Sequence, residues 1–359
     1  MTLLVRDEAD VVDAQVAYHL NAGVDFVIAT DNRSQDGTTE ILAAYERAGV
    51  LRLIREPGED MQQGPWVTRM AQLAAAEHGA DWVINADADE FYWPRGTSLK
   101  EALAAIPARY GYVRSFVRAF LLRGDENEFF ADRMNVRLTP QAPINDPGTL
   151  FRPGAKIIHR GDPHIVLGHG THTLAGVSFA PLRGWYPLEL LHFPLRSREQ
   201  AERKFVAAWS AWSRNPDRDP SHYLTRGYEA VEAGKLDEFL ALQSVDDEAL
   251  GRGLADGSLA IDNRLRDALR AIRAPEPDGP RHFLLPSEGA RLEIARPDLV
   301  DEASYAVDAS TLGEADVARV QRRLDELEQR LASLERRFLV RARTTIVRLA
   351  RSRRSAAGR

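Results

Sequence analysis

Apolar and polar positions fall into alternating blocks along the first ninety residues. Thr2–Val5 is a short apolar run of the kind that fills a buried strand. Val12, Val16 and Leu20 then recur at four-residue spacing and stop at Gly23, with Asp10 placed to cap the helix they predict. Val24–Thr30 predicts a second strand. Thr38 opens a helix carrying Ile41, Leu42 and Tyr45 that stops at Gly49, and Val50–Ile54 predicts a third strand. A helix near Trp66, Met70 and Leu73 leads into Trp82-Val83-Ile84, a fourth apolar run. Strands separated by helices in this way predict βαβ units and a parallel sheet.

Each strand ends abruptly in polar residues. Arg6-Asp7-Glu8 follows the first, Asp31-Asn32-Arg33-Ser34-Gln35-Asp36-Gly37-Thr38 the second, and Asn85, Asp87, Asp89 and Glu90 the fourth. In open parallel sheets ligands bind outside the carboxyl ends of the strands. Like charges packed closely repel, so a fold that keeps them usually supplies a cation. Two carboxylates together with substrate phosphates commonly hold Mg²⁺ or Mn²⁺, and Asp87-Ala88-Asp89 reads as such a metal–diphosphate site; the bland alternative is a solvated strand-end turn. Asp31 can accept hydrogen bonds from a nucleobase or ribose, while the helix after Thr38 offers unpaired backbone N–H groups.

In order and spacing, Arg6-Asp7-Glu8-Ala9-Asp10, Tyr18-His19-Leu20 with Gly23-Val24-Asp25, the Asp31–Thr38 cluster and Asn85-Ala86-Asp87-Ala88-Asp89-Glu90-Phe91 resemble the nucleotide-binding half of family-two-type inverting glycosyltransferases of the GT-A fold. The resemblance is strong over residues 2–94 and extends more weakly to about residue 210. It implies an α/β protein with a GT-A-like, Rossmann-type, mostly parallel sheet flanked by helices, here with a C-terminal helical and coiled-coil extension. It also implies that Asp31, with Asp7 and Glu8, serves the donor, and that Asp87 and Asp89 hold a divalent metal on a sugar-nucleotide diphosphate.

Gly111–Arg118, Met134–Leu138, Ala155–His159 and Thr173–Phe179 read as strands, separated by irregular stretches carrying Pro140, Pro143, Pro147, Pro153 and Pro163. In GT-A enzymes this half shapes the acceptor site. His159, His164, His169 and His172 crowd together with Asp162, ending in Gly168-His169-Gly170-Thr171-His172. Histidines with an acid could hold zinc, but the glycines favour a loop and no His-Glu-x-x-His helix is present. His192-Phe193-Pro194-Leu195-Arg196-Ser197 then runs into a helix bearing Lys204, with Ser197 and Gln200 as a capping box. By the resemblance, His192 is a third metal ligand or diphosphate contact, and Arg196 and Lys204 contact phosphate; the bland readings are a satisfied core histidine and a solvated helix face. The resemblance puts the catalytic base about one hundred residues after the metal motif. Glu189 fits that distance, with Asp162 and His172 as rivals, although the Glu-Asp pair common at that point is missing. Asp89 is the second residue assigned to catalysis.

Toward the C-terminus, residues 221–273 read as helical. Residues 274–316 read as a proline-rich linker with short docked pieces. Val317, Val320, Leu324, Leu327, Leu331, Leu334 and Phe338 alternate steps of three and four, a heptad seam. Arg323 and Arg330 at g match Glu328 and Glu335 at e in a parallel pair, so the charges predict parallel homo-oligomerisation through 317–340; an amphipathic helix folded onto its own domain is the alternative. Residues 341–359 are rich in arginine and lack acids, a pattern suited to peripheral contact with anionic lipid or an acidic polymer, or to a solvated tail.

Composition narrows the function classes. The chain has 359 residues, a net charge of −6 and no cysteine. The charge argues against a nucleic-acid partner, and the lack of cysteine excludes disulfides, thiolate catalysis and Cys-ligated zinc. The expected location is cytoplasmic, with any membrane contact peripheral on the inner face; Met1 abuts an apolar run, so the natural chain could begin earlier. The domain plan is a transferase domain over 1–220 (nucleotide-sugar half 1–94, acceptor half 95–220), then the helical extension, linker, coiled coil and basic tail. The expected activity is metal-dependent transfer of a hexose-type sugar from a nucleotide sugar to a carbohydrate or lipid-linked hydroxyl acceptor, inverting, as in cell-surface polysaccharide or glycan synthesis. The alternatives are a catalytically inactive scaffold and a sugar-1-phosphate nucleotidyltransferase, which normally opens with a Gly-rich loop absent here; a two-acid glycoside hydrolase lacks a visible second acid pair.

Overall fold

The apolar runs of the first ninety residues become strands because each is flanked by an amphipathic helix that covers it. In the computed structural model, which describes residues 1–58, 63–96, 98–142, 155–183, 186–212, 223–276 and 279–294 together with Ser310 and Leu331, they follow as β1 (Thr2–Val5), α1 (Val12–Asn21), β2 (Val27–Asp31), α2 (Thr38–Arg47), β3 (Leu51–Arg55), α3 (Gln63–Ala76) and β4 (Trp82–Asp87). Strands β3, β2, β1 and β4 lie side by side and parallel. Register pairs Val5 with Asp31 and Leu4 with Asp87, so the polar loops after β1, β2 and β4 leave the sheet along one edge. Side chains alternate across the pleat: Leu3 and Val5 join α1 and α2 on one face, while Leu4 packs with Trp66 and Met70 of α3 on the other.

The chain continues through β5 (Glu90–Pro94), α4 (Leu99–Ala104), β6 (Tyr112–Ala119), α5 (Phe130–Arg133), β7 (Val136–Leu138), β8 (Ala155–Arg160), β9 (Val166–Leu167), β10 (Leu174–Ala175), β11 (Leu188–His192) and α6 (Arg198–Trp212). The large sheet extends beyond β4 in the order β8, β6, β11, β5. This half is mixed: β8 runs antiparallel to both β4 and β6, β11 is parallel to β6, and β5 closes the edge antiparallel to β11. The result is an α/β fold with one eight-stranded sheet flanked by helices. The strand expected over Thr173–Phe179 forms only at Leu174–Ala175, because Gly176 turns the backbone at φ 78°.

Helices α7 (Tyr223–Glu232), α8 (Leu236–Ala241) and α9 (Asp247–Asp256), strand β12 (Leu259–Ile261) and helix α10 (Arg264–Ala271) complete the described elements of length. β12 pairs with β7, and Leu265, Leu269, Ile272, Phe283 and Leu285 share the core of Tyr18 and Phe91. The stretch read as a linker thus begins with apolar pieces built into the main core. Residues 1–309 form one compact unit and 310–359 a second. In the second, Ser310 and Leu331 are helical and exposed; the heptad seam and the basic tail otherwise lie outside the described residues. Among those residues, no helix is long and apolar enough to cross a membrane.

Two helix starts differ from expectation. Val11, not Asp10, precedes α1, and no side chain caps it, because the Asp10 carboxylate is taken by Arg196. Gly37 precedes α2 at φ 102°, a conformation open to glycine at little cost, which leaves Thr38 to accept the Glu8 N–H.

His19 on α1 is wholly buried. Its Nδ1 meets the Gln15 carbonyl at 2.8 Å, and its Nε2 accepts the Tyr92 N–H at 3.1 Å. That pair of contacts selects the neutral tautomer protonated at Nδ1. Burial lowers the His19 pKa to about 4, and His159 is lowered likewise to about 4. Folded values below the ordinary 6.5 mean that the unfolded chain takes up these protons first. The stability they support is therefore full above pH 6.5 and lost as the pH falls toward 4. Each group accounts for about 3 kcal/mol over that window. Melting temperatures measured across it should fall on acidification, and His19→Gln should flatten the profile while lowering stability at neutral pH; a profile parallel to wild type removes His19 from the acid response.

Candidate active site

The acids at the sheet edge are held in place by their own loops. The loops after β1 and β2 are stitched together: Ser34 Oγ accepts the Asp7 N–H, Asp7 Oδ1 accepts the Gln35 N–H at 2.7 Å, and Asp36 Oδ2 accepts the Ala9 N–H at 2.9 Å. Asp7 adopts φ 55° to make these bonds. Asp31, at the end of β2, is buried; its carboxylate accepts from the Ser34 N–H and hydroxyl and from the Thr39 hydroxyl. It therefore organises the turn between β2 and α2.

The third cluster sits where β4 turns into β5. Asp87 Oδ2 and Glu90 Oε1 each lie 2.6 Å from the Lys156 ammonium on β8. Asp89 Oδ2 lies 2.7 Å from Lys204 on α6, and its Oδ1 lies 3.6 Å from His192 Nε2. His192 ends β11 directly opposite Glu90 in the antiparallel pair, and the Phe193 N–H donates to the Asp89 carbonyl. Asp89, Glu90 and His192 each present a ligand atom within 4.8 Å of the others. Sequence reasoning named Asp87 and Asp89 with His192. The structure brings His192 to Asp89 and sets Glu90 beside them, while Asp87 bonds Lys156 and Gln63.

The donor set suits a divalent cation, and so does the charge. Among the described residues, Glu8, Asp10, Asp87, Asp89 and Glu90 gather around Lys156, Lys204 and Arg196. Burial raises the Glu90 pKa, with Lys156 opposing and Asp87 reinforcing. Burial would also raise Asp89, but Lys204, His192 and Arg196 hold it well below the ordinary carboxylate range. The cluster thus keeps Asp89 ionised, while burial raises Glu8 to about 7. Two carboxylates and an imidazole fit Mn²⁺, and a carboxylate-dominated set also admits Mg²⁺.

Two expected contacts take other roles. Arg196, expected on phosphate, is 1% exposed, with its guanidinium bonded to Glu8, Asp10 and the Phe193 carbonyl. It locks the loop after β1 to the segment leading into α6, so its N–H groups are turned away from any ligand. Glu189, expected as the base, lies three residues before His192 on β11, hence on the opposite face of the pleat. It is gripped by Arg118 and by Arg264 at 2.6 Å. Burial would raise its pKa, yet these arginines hold it far below the usual range. A carboxylate so stabilised is a poor proton acceptor. Lys204, expected on phosphate, is bonded to Asp89 and to the Pro194 carbonyl at 2.9 Å. Of the rivals, Asp162 accepts the His164 N–H in a surface turn. His172 lies at the rim, with Nδ1 3.0 Å from the Ala155 carbonyl. No cluster of histidines suited to zinc occurs among the described residues.

Residues 5–120 match the family model Glycosyltransferase family 92, less than half of the chain. Residues 5–120 are thus glycosyltransferase-like, although the family matched is 92 where the sequence motifs pointed to family two. Among solved structures, similarity extends to Staphylococcus aureus TarS 1–349, with 14% identity, 89% of this chain and 90% of that chain covered, and a TM-score of 0.31. The same protein in complex with UDP-GlcNAc gives 13% identity, the same coverage and 0.32. A mannose-1-phosphate geranyltransferase from Thermus thermophilus gives 13% identity, 75% and 77% coverage, and 0.22. These likenesses are faint, and the fold rests on the strand order itself. No curated protein sequence matches the chain.

Removing Lys156 leaves Asp87 and Glu90 facing each other without their counter-ion. Lys156→Met should destabilise the protein by about 3–5 kcal/mol in urea unfolding. The double variant Lys156→Met/Glu90→Gln should recover part of that loss; simple additivity would show that the pair is not coupled.

Proposed function

We propose that the protein transfers a sugar from a nucleotide-diphosphate donor to a hydroxyl acceptor, with Mn²⁺ or Mg²⁺ held by Asp89, Glu90 and His192. The observation that carries this reading is the convergence of those three side chains at the sheet edge that also receives the loops after β1 and β2. The similarity of residues 5–120 to a glycosyltransferase family supports it.

In this reading the nucleoside rests on the Asp31–Thr38 turn, which Asp7, Asp31 and Asp36 hold rigid. Asp87 and Glu90 set the border of the diphosphate position through Lys156. When bound, the metal supplies positive charge to the leaving diphosphate. Lys204 adds a second cation beside Asp89. The acceptor hydroxyl attacks the anomeric carbon as its bond to the diphosphate oxygen breaks, inverting that carbon, and His172 at the rim takes the acceptor proton in place of Glu189. The acceptor is a carbohydrate or a lipid-linked glycan. Parallel self-association through 317–340, peripheral membrane contact through 341–359 and a cytoplasmic location belong to the same proposal.

A second reading is favoured by the ion pairs of Lys156 and Lys204 with the acids: the lysines themselves supply the charge, and no metal is needed. Thermal shift separates the two. Nucleoside diphosphates with Mn²⁺ should raise the melting point more than either alone, and Asp89→Asn should abolish the metal-dependent part while keeping the fold. A shift insensitive to EDTA selects the lysine reading; the absence of any nucleotide-dependent shift removes both.

A further inference from the structure

The strand order sets a path across the sheet edge. β2, β1 and β4 are neighbours and run parallel. The Asp31–Thr38 turn follows β2, and Asp89, Glu90 and His192 gather beyond the end of β4. A ligand that reaches from the turn to those three side chains must cross the end of β1. The crossing spans two strand spacings, about 10 Å, within the reach of a nucleoside diphosphate. The first residue it meets after β1 is Arg6.

The other cations near this path are engaged. Lys156 is bonded to Asp87 and Glu90, Lys204 to Asp89, and Arg196 to Glu8 and Asp10. Arg6 differs from them. Its side chain is 36% exposed, and Asp7 Oδ2 lies 3.9 Å from its Nε, too far for a hydrogen bond. Its Nη1 makes one long contact, 3.4 Å to Asn32 Oδ1, and its Nη2 makes no hydrogen bond among the described residues. Asn32 is buried and fixed in turn, since its Nδ2 donates to the Gly58 carbonyl at 2.8 Å. The guanidinium is therefore drawn toward the loop after β2 with its outer nitrogens still open. The inner Nε is shut off from water without a partner. That costs stability, and a side chain swung outward into water would escape the cost. Arg6 thus holds a position that its contacts within the protein repay poorly.

We propose that Arg6 grips the diphosphate of the donor through Nη1 and Nη2; the inference rests on the transferase reading above. A guanidinium presents paired N–H groups in a plane, a fork that matches two phosphate oxygens. Asp87, Asp89 and Glu8 line the same edge and repel a diphosphate, and Arg6 offsets that repulsion at the end of β1. The phosphate role expected of Arg196 passes to Arg6, whose outer N–H groups can turn to a ligand without breaking an ion pair shorter than 3.9 Å.

The test varies the number of phosphates on one nucleoside. Ligand-observed NMR with Mg²⁺, which reads affinities into the millimolar range, would take uridine, guanosine, cytidine and thymidine, each with its mono- and diphosphate, against wild type, Arg6→Gln and Arg6→Lys. For the series wild type binds most tightly, Arg6→Gln should weaken the diphosphate about tenfold or more, the value of a charged hydrogen bond. The monophosphate should lose less, and the nucleoside should stay within about twofold. Arg6→Lys keeps the charge without the fork, so its diphosphate affinity should fall between those of Arg6→Gln and wild type. Without ligand both variants should melt within about 2 °C of wild type, because the contacts they remove are long. A loss equal across nucleoside, monophosphate and diphosphate, or no loss at all, overturns the inference and leaves the transferase reading standing. A wild type that binds none of the diphosphates overturns the transferase reading and this inference with it.

Discussion

A guanidinium carried almost wholly out of water is the constraint on which the site depends. Such a charge persists only where its N–H groups meet acceptors. Arg196 finds them in Glu8, Asp10 and the Phe193 carbonyl, although Glu8 is 188 positions away along the chain. Its own backbone is matched as well: its N–H donates to Gln200 at 3.0 Å, and its carbonyl accepts from Arg133. The loop after β1 and the segment leading into α6 therefore cannot part without stranding two carboxylates and a cation. Asp89 lies 4.0 Å from the same guanidinium, so the charge that joins the halves also biases the acid at the centre.

Around that lock, each acid has a different environment, and the differences sort their roles. Asp89 faces three basic groups and stays ionised. Glu90 shares one lysine with Asp87 and is pushed toward its neutral form by burial. Glu189, on the far face of the same strand pair, is so strongly held by arginines that it acts as an anchor for the segment around Arg264. Neighbouring carboxylates on one sheet thus differ in chemistry because the pleat sends them to different partners.

Much of this could be read from the chain. The strand–helix alternation through Trp82 appears in the sheet with shifts of only a few residues, since burial on both faces leaves an unmistakable apolar run. Asp89 stood out by its place after a strand, His192 and Lys204 through the resemblance, and the three lie together. What the sequence concealed depends on register. Glu90 was visible as one acid in a polar cluster; its place beside His192 follows from the β11–β5 pairing. Lys156 arrives from a strand far along the chain, and its only signal was a lone cation opening the apolar Ala155–His159 run. Counting residues from the metal motif led to Glu189, but a count of three along β11 changes the face. Arg196 was expected on phosphate, and its partners lay in a segment where Glu8 was read as a donor contact and Asp10 as a helix cap.

The late apolar segment has a consequence for how the chain is made. Asp13 on α1 binds the His282 N–H across 269 residues, and Asn21 donates to the Leu284 carbonyl across 263. Contacts so distant in sequence make for slow closure. During synthesis the first helix emerges early, but the residues that cover its outer side are made more than 260 residues later. Until then the nascent protein carries an uncovered apolar strip, and its early half waits for the last turn of the first unit before it is sealed.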